Sequence, residues 1–543
     1  MKSVLVSINS KYVHSSLAVW YLKSAVKSCE HKIIVLESTI KEDTQIIYSK
    51  ILAQEPELVA FSTYIWNVEK VKTLAKLIKS NNPNITIVLG GPEVSYNCEE
   101  VLSQNDYIDY ILSGEGEEII EPFLDCIKNK TSPLHIQGVN SKDNSSQPFI
   151  SDKEPKSPYT EEYLRILNGR ISYIETSRGC PFSCSYCLSG RLCNVRFFNL
   201  DNVKKNIDLL SSSGTQTIKF VDRTFNCHIE RACDIIEYII SKNPCFKGIC
   251  YHFEMAGDLF SGRLIELLAS APAGLIQIEV GVQSFNEETL SAVGRKTNIS
   301  KITQNLTKIL AKRNIHIHMD LIAGLPKENF ESFRESFNKL FALRPDMLQL
   351  GFLKLLHGSP MESQNVGTFS ITPPYQIIEN DYLTSKDLEK LSCVEEALER
   401  LYNSGRFKFL IEKVLAKYNY PFDLFFEFGQ AFNLSYGLKL EDLCEFVLKH
   451  FTKYIEKNKL LDIMKEQWLM INSSGKFPKC LDEHNMGSVL KELDKDKSTK
   501  RKKAVRRAAC VLQTTNEIIW VDYENKDIVT GEFVVNRMTK TQN

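Results

Sequence analysis

The chain has 543 residues, too many for one hydrophobic core, so its length points to two to four domains. Its 67 acidic and 67 basic side chains cancel, which leaves no global field to direct it to nucleic acid or a membrane surface. With 43% hydrophobic and 25% charged residues, no apolar run of about 18 residues and only a short apolar start, it reads as a cytoplasmic globular protein without a membrane partner. Fifteen cysteines in such a chain argue for reduced thiols and bound metal rather than disulfides.

Strand and helix patterns alternate through residues 1–135. Apolar strands are predicted over 3–8, 31–39, 58–63, 85–91 and 106–116. One helical face carries Leu17, Tyr21, Leu22, Ala25 and Val26, another Val68, Val71, Leu74, Ala75 and Ile78, and a further helix covers 117–128. This is the pattern of a Rossmann-like parallel sheet, whose ligands bind at the carboxyl ends of the strands. Those ends carry Ser62-Thr63-Tyr64, Gly90-Gly91-Pro92-Glu93 and Gly114-Glu115-Gly116-Glu117, where glycine lets a bulky ligand approach the backbone. Residues 136–165 are rich in Pro, Ser, Asn and Lys without periodicity, as a linker is.

A second βα series fills 166–365. Strands are predicted over 171–177, 218–222, 248–256, 276–284, 315–326 and 347–356, with helices between them. Six strands predict a partial β/α barrel with its chemistry at the carboxyl rim. After the first strand and an Arg178-Gly179 turn come Cys180, Cys184 and Cys187, in CxxxCxxC spacing. Three thiolates on so short a loop can face one iron–sulfur cubane and leave its fourth iron open. A zinc site would instead show two separated ligand pairs and four ligands.

This spacing, with Tyr186 before the last cysteine, resembles the radical SAM family. The resemblance implies a 4Fe-4S cluster, S-adenosyl-L-methionine chelated to the open iron, a 5′-deoxyadenosyl radical, and an electron donor such as flavodoxin or ferredoxin. It also implies contacts to S-adenosylmethionine from Tyr186, Asp222, Glu254, Gln283, Ser284, Arg295 and the turn Ala323-Gly324-Leu325. Arg295 has the fork geometry to clamp a carboxylate. His357–Met361 resembles the loop closing the sixth strand in coproporphyrinogen-oxidase-like enzymes. The GGE motif expected after the second strand is absent, and Asp222 stands in its place. Cys193, six residues past the cluster motif, reads as a buried bystander rather than a radical-handling thiol.

Ahead of such a barrel, the first domain resembles the cobalamin-binding domain of the same family. The resemblance implies that Ser62, Thr63, Tyr64, Gly90, Gly91, Glu93, Gly114, Glu115 and Gly116 line the cofactor's channel. The DxHxxG motif that supplies a histidine to cobalt is absent, His14 does not match it, and the Tyr64-Ile65-Trp66 loop is expected to cover cobalamin's lower face. Methylthiotransferases carry a second cluster in this position. Cys29, Cys98 and Cys126 number three, but Cys29 and Cys126 fall on helices, away from the strand tops.

Residues 366–543 read as mainly helical, with an aromatic run over 420–432, a basic run from Lys495 to Arg507, and a closing hairpin of 518–523 with 531–535. They resemble a region of unknown function attached to one group of these proteins. The whole chain is thus expected to be a cobalamin-dependent radical SAM enzyme that methylates an unactivated carbon. A rearrangement or cyclisation, an RNA-modifying reaction and a non-catalytic cobalamin or redox sensor are the alternatives. The substrate, small molecule or RNA, stays open.

Overall fold

The computed structural model describes the chain apart from residues 192–193, 247, 433–438, 482–485, 496–498, 500–504 and 541–543. Cys193 and the Lys500–Lys503 part of the basic run therefore lie outside the described residues.

The first sheet contains β1 (Lys2–Asn9), β2 (Lys32–Thr39), β3 (Leu58–Ser62), β4 (Thr86–Gly90), β5 (Tyr110–Leu112) and β6 (Val139–Asn140), in the order β2-β1-β3-β4-β5-β6. The first five are parallel. Val4, Leu5, Val6 and Ile8 in β1 are all buried, because helices cover both faces. The segment expected as linker adds β6, which pairs antiparallel with β5. Past it, Phe149 bridges to Gly114. These short pairings cap the open edge of β5. They leave no periodicity to read, since neither exceeds two residues.

The second sheet contains β7 (Ile171–Ile174), β8 (Thr217–Phe220), β9 (Cys250–Glu254), β10 (Ile276–Gln283), β11 (His316–Ala323) and β12 (Met347–Phe352), in sequence order and all parallel. Helices intervene at Leu200–Ser211, Ile229–Lys242, Gly262–Ser270, Ile299–Leu310 and Phe330–Ala342. This is the expected (β/α)6 half-barrel. In β10, Ile276, Ile278, Val280 and Val282 are buried, whereas Gln277, Glu279, Gly281 and Gln283 alternate with them on the other face.

The first domain closes the edge of the half-barrel. Ile171 donates its N–H to the Val13 carbonyl at 2.8 Å, and Ser15 Oγ donates to the Ile171 carbonyl at 3.0 Å. His14 Nδ1 lies 2.7 Å from Tyr173 Oη, and buried Arg170 pairs with Glu37 at 2.8 Å. The histidine that fails to match a cobalt-ligand motif therefore sits at a domain joint.

The aromatic run becomes the helix Pro421–Phe432. Its Phe422 and Phe425 are fully buried and meet Phe337 and Phe341 of the last barrel helix at centroid distances of 5.6 Å each. These rings weld the C-terminal region to the barrel. The expected hairpin gains a third strand, Arg507–Val511, in an antiparallel sheet with Glu517–Lys526 and Phe533–Thr539. Arg507, the last residue of the basic run, is buried and pairs with Asp522 at 2.7 Å. The basic run thus ends in a sheet.

Gly114 has φ +89°, and a Cβ there would meet the Phe149 carbonyl oxygen at 2.1 Å. Gly114→Ala is expected to cost about 2 kcal/mol or more through backbone strain and loss of that contact, read as a lower midpoint in urea unfolding. An unchanged midpoint would show that the junction is not structural.

Candidate functional site

Cys180, Cys184 and Cys187 follow β7 on the barrel rim, the first two buried and the third partly exposed. Asp222, fully buried, fixes the start of their loop. It accepts from Thr176 N at 3.1 Å, Thr176 Oγ1 at 2.6 Å and Ser177 Oγ at 2.6 Å. Gly179 makes the turn at φ +100°. Inside the loop, Ser185 N–H donates to the Val293 carbonyl and its own carbonyl accepts from Met361 N, both at 2.9 Å. The His357–Met361 loop is thereby tied to the cysteines.

Among the described residues, no cysteine belongs to a group of three ligand atoms lying within 4.8 Å of one another. Tetrahedral zinc, with Zn–S near 2.3 Å, would draw its sulfurs to about 3.8 Å. A cubane binds each thiolate to a different iron and needs no such close approach.

Beside this loop lies a polar cavity of about 220 Å³, lined by Arg223, Glu254, Glu279, Gln283, Arg295 and Asp320 among others. Arg295 Nη1 stands 3.8 Å from Cys184 Sγ and 3.5 Å from Tyr186 Oη, and Nη2 donates to the Gly281 carbonyl. Its Nε, Gln283 Oε1 and Asp320 Oδ1 are buried without a hydrogen-bond partner. A zwitterion with a charged sulfur and a ribose offers what these donors and acceptors lack, so the cavity fits S-adenosylmethionine.

Sequence reasoning missed the cavity's charged floor. Lys219 Nζ lies 3.4 Å from both Glu254 and Glu279, and Arg223 pairs with Glu254. His252 Nε2 stands 3.1 Å from Glu279. Burial pushes the Glu279 carboxyl up, but the His252 hydrogen bond and the charges of Lys219 and His318 outweigh it and hold the group at about 2. Burial drives His318 down to about 4 and raises Asp320 well above the usual carboxylate range. His318 Nε2 approaches Asp320 Oδ1 to 3.2 Å without hydrogen-bond geometry. Gln277, Glu279 and Gln283 at alternate places around Gly281, and His316, His318 and Asp320, were the available signal.

Other expected residues lie off this cavity's lining. Asp222 holds the loop instead. Ser284 Oγ donates to Glu328 at 2.6 Å. Ala323 and Leu325 are fully buried, and the carbonyls of Ala323 and Gly324 accept from Leu353 N and Asn380 Nδ2, both at 2.9 Å.

A second cavity, of about 550 Å³, opens at the strand tops of the first domain and runs between its sheet and the helix Leu17–Ala25. Leu5, Ala60, Val88 and Leu112 form one wall and Leu17, Tyr21 and Leu22 the other. Leu17 and Leu22, expected in the core, are only partly buried because they face this space. An apolar slot into the middle of a Rossmann-like domain fits the flat nucleotide tail of a corrinoid. Ser62, Tyr64, Gly90, Gly91, Gly114, Glu115 and Gly116 line it. Thr63 and Glu93 do not: Thr63 N–H donates to the Gly90 carbonyl at 2.7 Å, and Glu93 accepts from Tyr375 Oη at 2.5 Å. Gly91 is needed by the protein itself, since a Cβ there would meet the Thr63 carbonyl oxygen at 2.5 Å. Tyr64 stacks on Trp66 with centroids 4.4 Å apart, and Trp66 faces outward, away from the lining. Cys29 is exposed, Cys98 opens the helix Cys98–Gln104 and Cys126 lies within Ile120–Lys128, so these three thiols do not converge.

The two cavities share Arg223. They are held in register by Arg178, which pairs with Glu115 at 2.6 Å, with Glu175 at 2.8 Å and with Glu117. Arg196 joins Glu115 at 2.7 Å. Three carboxylates meet two guanidiniums here, all largely buried. Burial lifts the Glu175 carboxyl to about 7 against the pull of Arg178.

A three-thiol loop on a half-barrel and an open Rossmann-like domain give the chain two neighbouring cavities. Family models agree: residues 3–124 match the B12 binding domain, 174–340 the radical SAM superfamily and 367–533 a protein of unknown function, DUF4080. The three matches follow one another along the chain in the order cobalamin-binding domain, radical SAM domain, DUF4080 region. It is 24% identical over 312 residues to 2-(S-pantetheinyl)-carbapenam-3-carboxylate methyltransferase of Streptantibioticus cattleyicolor, covering 53% of this chain and 45% of that one. It is 24% identical over 347 residues to the cobalamin-dependent radical SAM methyltransferase TokK of Streptomyces tokunonensis, covering 57% and 48%. The chain thus spans about half the length of these curated relatives. Among solved structures, the cobalamin-dependent S-adenosylmethionine radical enzyme OxsB with aqua-cobalamin and S-adenosylmethionine bound superposes with a TM-score of 0.60 at 14% identity, over 86% of this chain and 78% of that one. Among the described residues no helix is long and apolar enough to cross a membrane.

Glu175 gives a pH signature. Its folded-state value of about 7 lies above the ordinary 4.5, so the folded protein binds the extra proton and stability falls as pH rises through that window. Glu175→Gln is expected to flatten the stability–pH curve between about 4.5 and 7, by roughly 1–3 kcal/mol across the window. An unaltered curve would mean that the network holds no proton.

Proposed function

We propose that this chain is a cobalamin-dependent radical SAM methyltransferase acting on an unactivated carbon. One observation carries the reading: a polar cavity beside three thiols and an apolar cavity in the B12-binding domain meet at Arg223. Bound together, the cluster and S-adenosylmethionine supply a 5′-deoxyadenosyl radical, and cobalamin supplies the methyl group.

Cys180, Cys184 and Cys187 hold the cluster, with Asp222 fixing the loop through Thr176 and Ser177. Arg295, free at Nε and already drawn toward Cys184, takes the methionyl carboxylate. Glu254 and Gln283 receive ribose hydroxyls, and Asp320 receives a further hydrogen bond at the same cavity. Ser62, Gly90 and Gly114 line the corrinoid slot, with Leu17 and Leu22 against its tail. Arg178 and its glutamates keep the seam between the sites closed. A one-electron donor of the flavodoxin or ferredoxin kind completes the reaction, and the substrate enters beside Arg223.

The test is anaerobic reconstitution with iron, sulfide and hydroxocobalamin, followed by S-adenosylmethionine and a strong one-electron reductant. The chain is expected to retain a 4Fe-4S cluster and one corrinoid, and to release both 5′-deoxyadenosine and S-adenosylhomocysteine. Cys187→Ala is expected to abolish 5′-deoxyadenosine release. Release of 5′-deoxyadenosine without S-adenosylhomocysteine would replace methyl transfer with a rearrangement. Release of neither from fully loaded protein would leave a sensor.

A further inference from the structure

Far from the two cavities, the C-terminal region brings two thiols together. Cys444 sits on the helix Leu440–Phe451 and is fully buried, whereas Cys480 sits on the turn Lys479–Leu481 and is partly exposed. Their sulfurs are 3.7 Å apart across 36 residues of chain. Both partners are anchored. Leu443, Val447 and Phe451 bury one face of the helix, and Leu481 buries the turn. The strap before the turn is tied down by Trp468 Nε1, which donates to the Lys476 carbonyl at 2.7 Å. Among the described residues, neither cysteine belongs to a group of three ligand atoms within 4.8 Å.

We propose that Cys480 and Cys444 are a dithiol modification site that exchanges with low-molecular-weight disulfides of the glutathione type. Their exposures assign the roles. Cys480 is reachable and attacks; Cys444, shielded from the small disulfide but adjacent to Cys480, resolves. The hydrogen bond between the two thiols holds Cys480 below its ordinary value, and the same bond with burial pushes Cys444 up. The Cys480 thiolate attacks one sulfur of the small disulfide, forming a mixed disulfide and expelling one small thiolate. Cys444 then gives up its proton and attacks the Cys480 sulfur, expelling the second. Two protein thiols are oxidised to one disulfide while one small disulfide is reduced to two thiols. Closing the S–S bond needs the sulfurs to approach by about 1.7 Å, within the reach of side-chain rotation. The cross-link ties the helix Leu440–Phe451 to the turn that leads toward the C-terminal sheet, around the helix Lys457–Ile471.

The test uses the full, cluster-loaded chain held anaerobically in glutathione buffers of graded ratio, with alkylation and peptide mass spectrometry. The exposed thiols Cys29 and Cys245 serve as internal references. The linked Cys444–Cys480 peptides are expected at an oxidised-glutathione level at least tenfold below that which modifies the references. Cys444→Ser is expected to trap a stable glutathione adduct on Cys480, and Cys480→Ser to leave Cys444 unmodified. A pair that stays reduced while Cys29 is modified overturns the proposal, as does a wild-type chain that accumulates the Cys480 adduct. The wild-type arm decides the matter even where a variant folds poorly, and it reads independently of methyl transfer.

Discussion

The structure depends on one guanidinium. Arg178 lies two residues before the first cysteine, on the barrel side, and its three carboxylate partners come from both domains. Such a buried network is costly to desolvate, and removing one member leaves charges stranded. It therefore contributes specificity of arrangement more than raw stability. The GEGE turn meets the cysteine loop through Arg178 and Arg196, which pair with its two glutamates. The position of the apolar slot relative to the thiols follows from that fit.

The half-barrel solves a related problem inside. A barrel lumen is ordinarily filled by apolar side chains, yet here Lys219, His252, Glu254, Glu279, His318 and Asp320 share it. Glu279 is the pivot, approached by Lys219, His252 and His318. Its charge is thus neutralised within the lumen, and the groups nearer the rim keep unspent hydrogen-bonding capacity. That capacity is what lets a charged nucleoside be taken out of water at the cavity beside Arg295.

Much of this was legible in the chain. Long strands such as Lys2–Asn9 and Ile276–Gln283 carry enough period-two or continuous apolar signal to be read, and the cysteine spacing carries its own chemistry. The two-residue pairing at Val139–Asn140 and the bridge at Phe149 were illegible, because hydrogen bonding to Leu112 and Gly114 depends on a fold already formed. The expected roles of single residues divided in the same way. Arg295 and Gln283 reach the polar cavity, while Asp222 and Ser284 turn to Thr176, Ser177 and Glu328, since a motif gives position along the chain but not the direction of a side chain. Arg178 itself was read only as a turn residue. Its partners in the first domain are 61 and 63 residues away, beyond any local pattern.

The central claim is adjacency of two cofactors across Arg223. The direct measurement is electron paramagnetic resonance on anaerobically loaded protein carrying both the reduced cluster and cob(II)alamin. Two half-integer spins held in neighbouring cavities are expected to split or broaden each other's signals and to speed the relaxation of the cob(II)alamin spin, and Cys187→Ala should abolish the effect while the corrinoid stays bound. A cob(II)alamin spectrum unaffected by a fully reduced cluster would place the two centres apart and contradict the account.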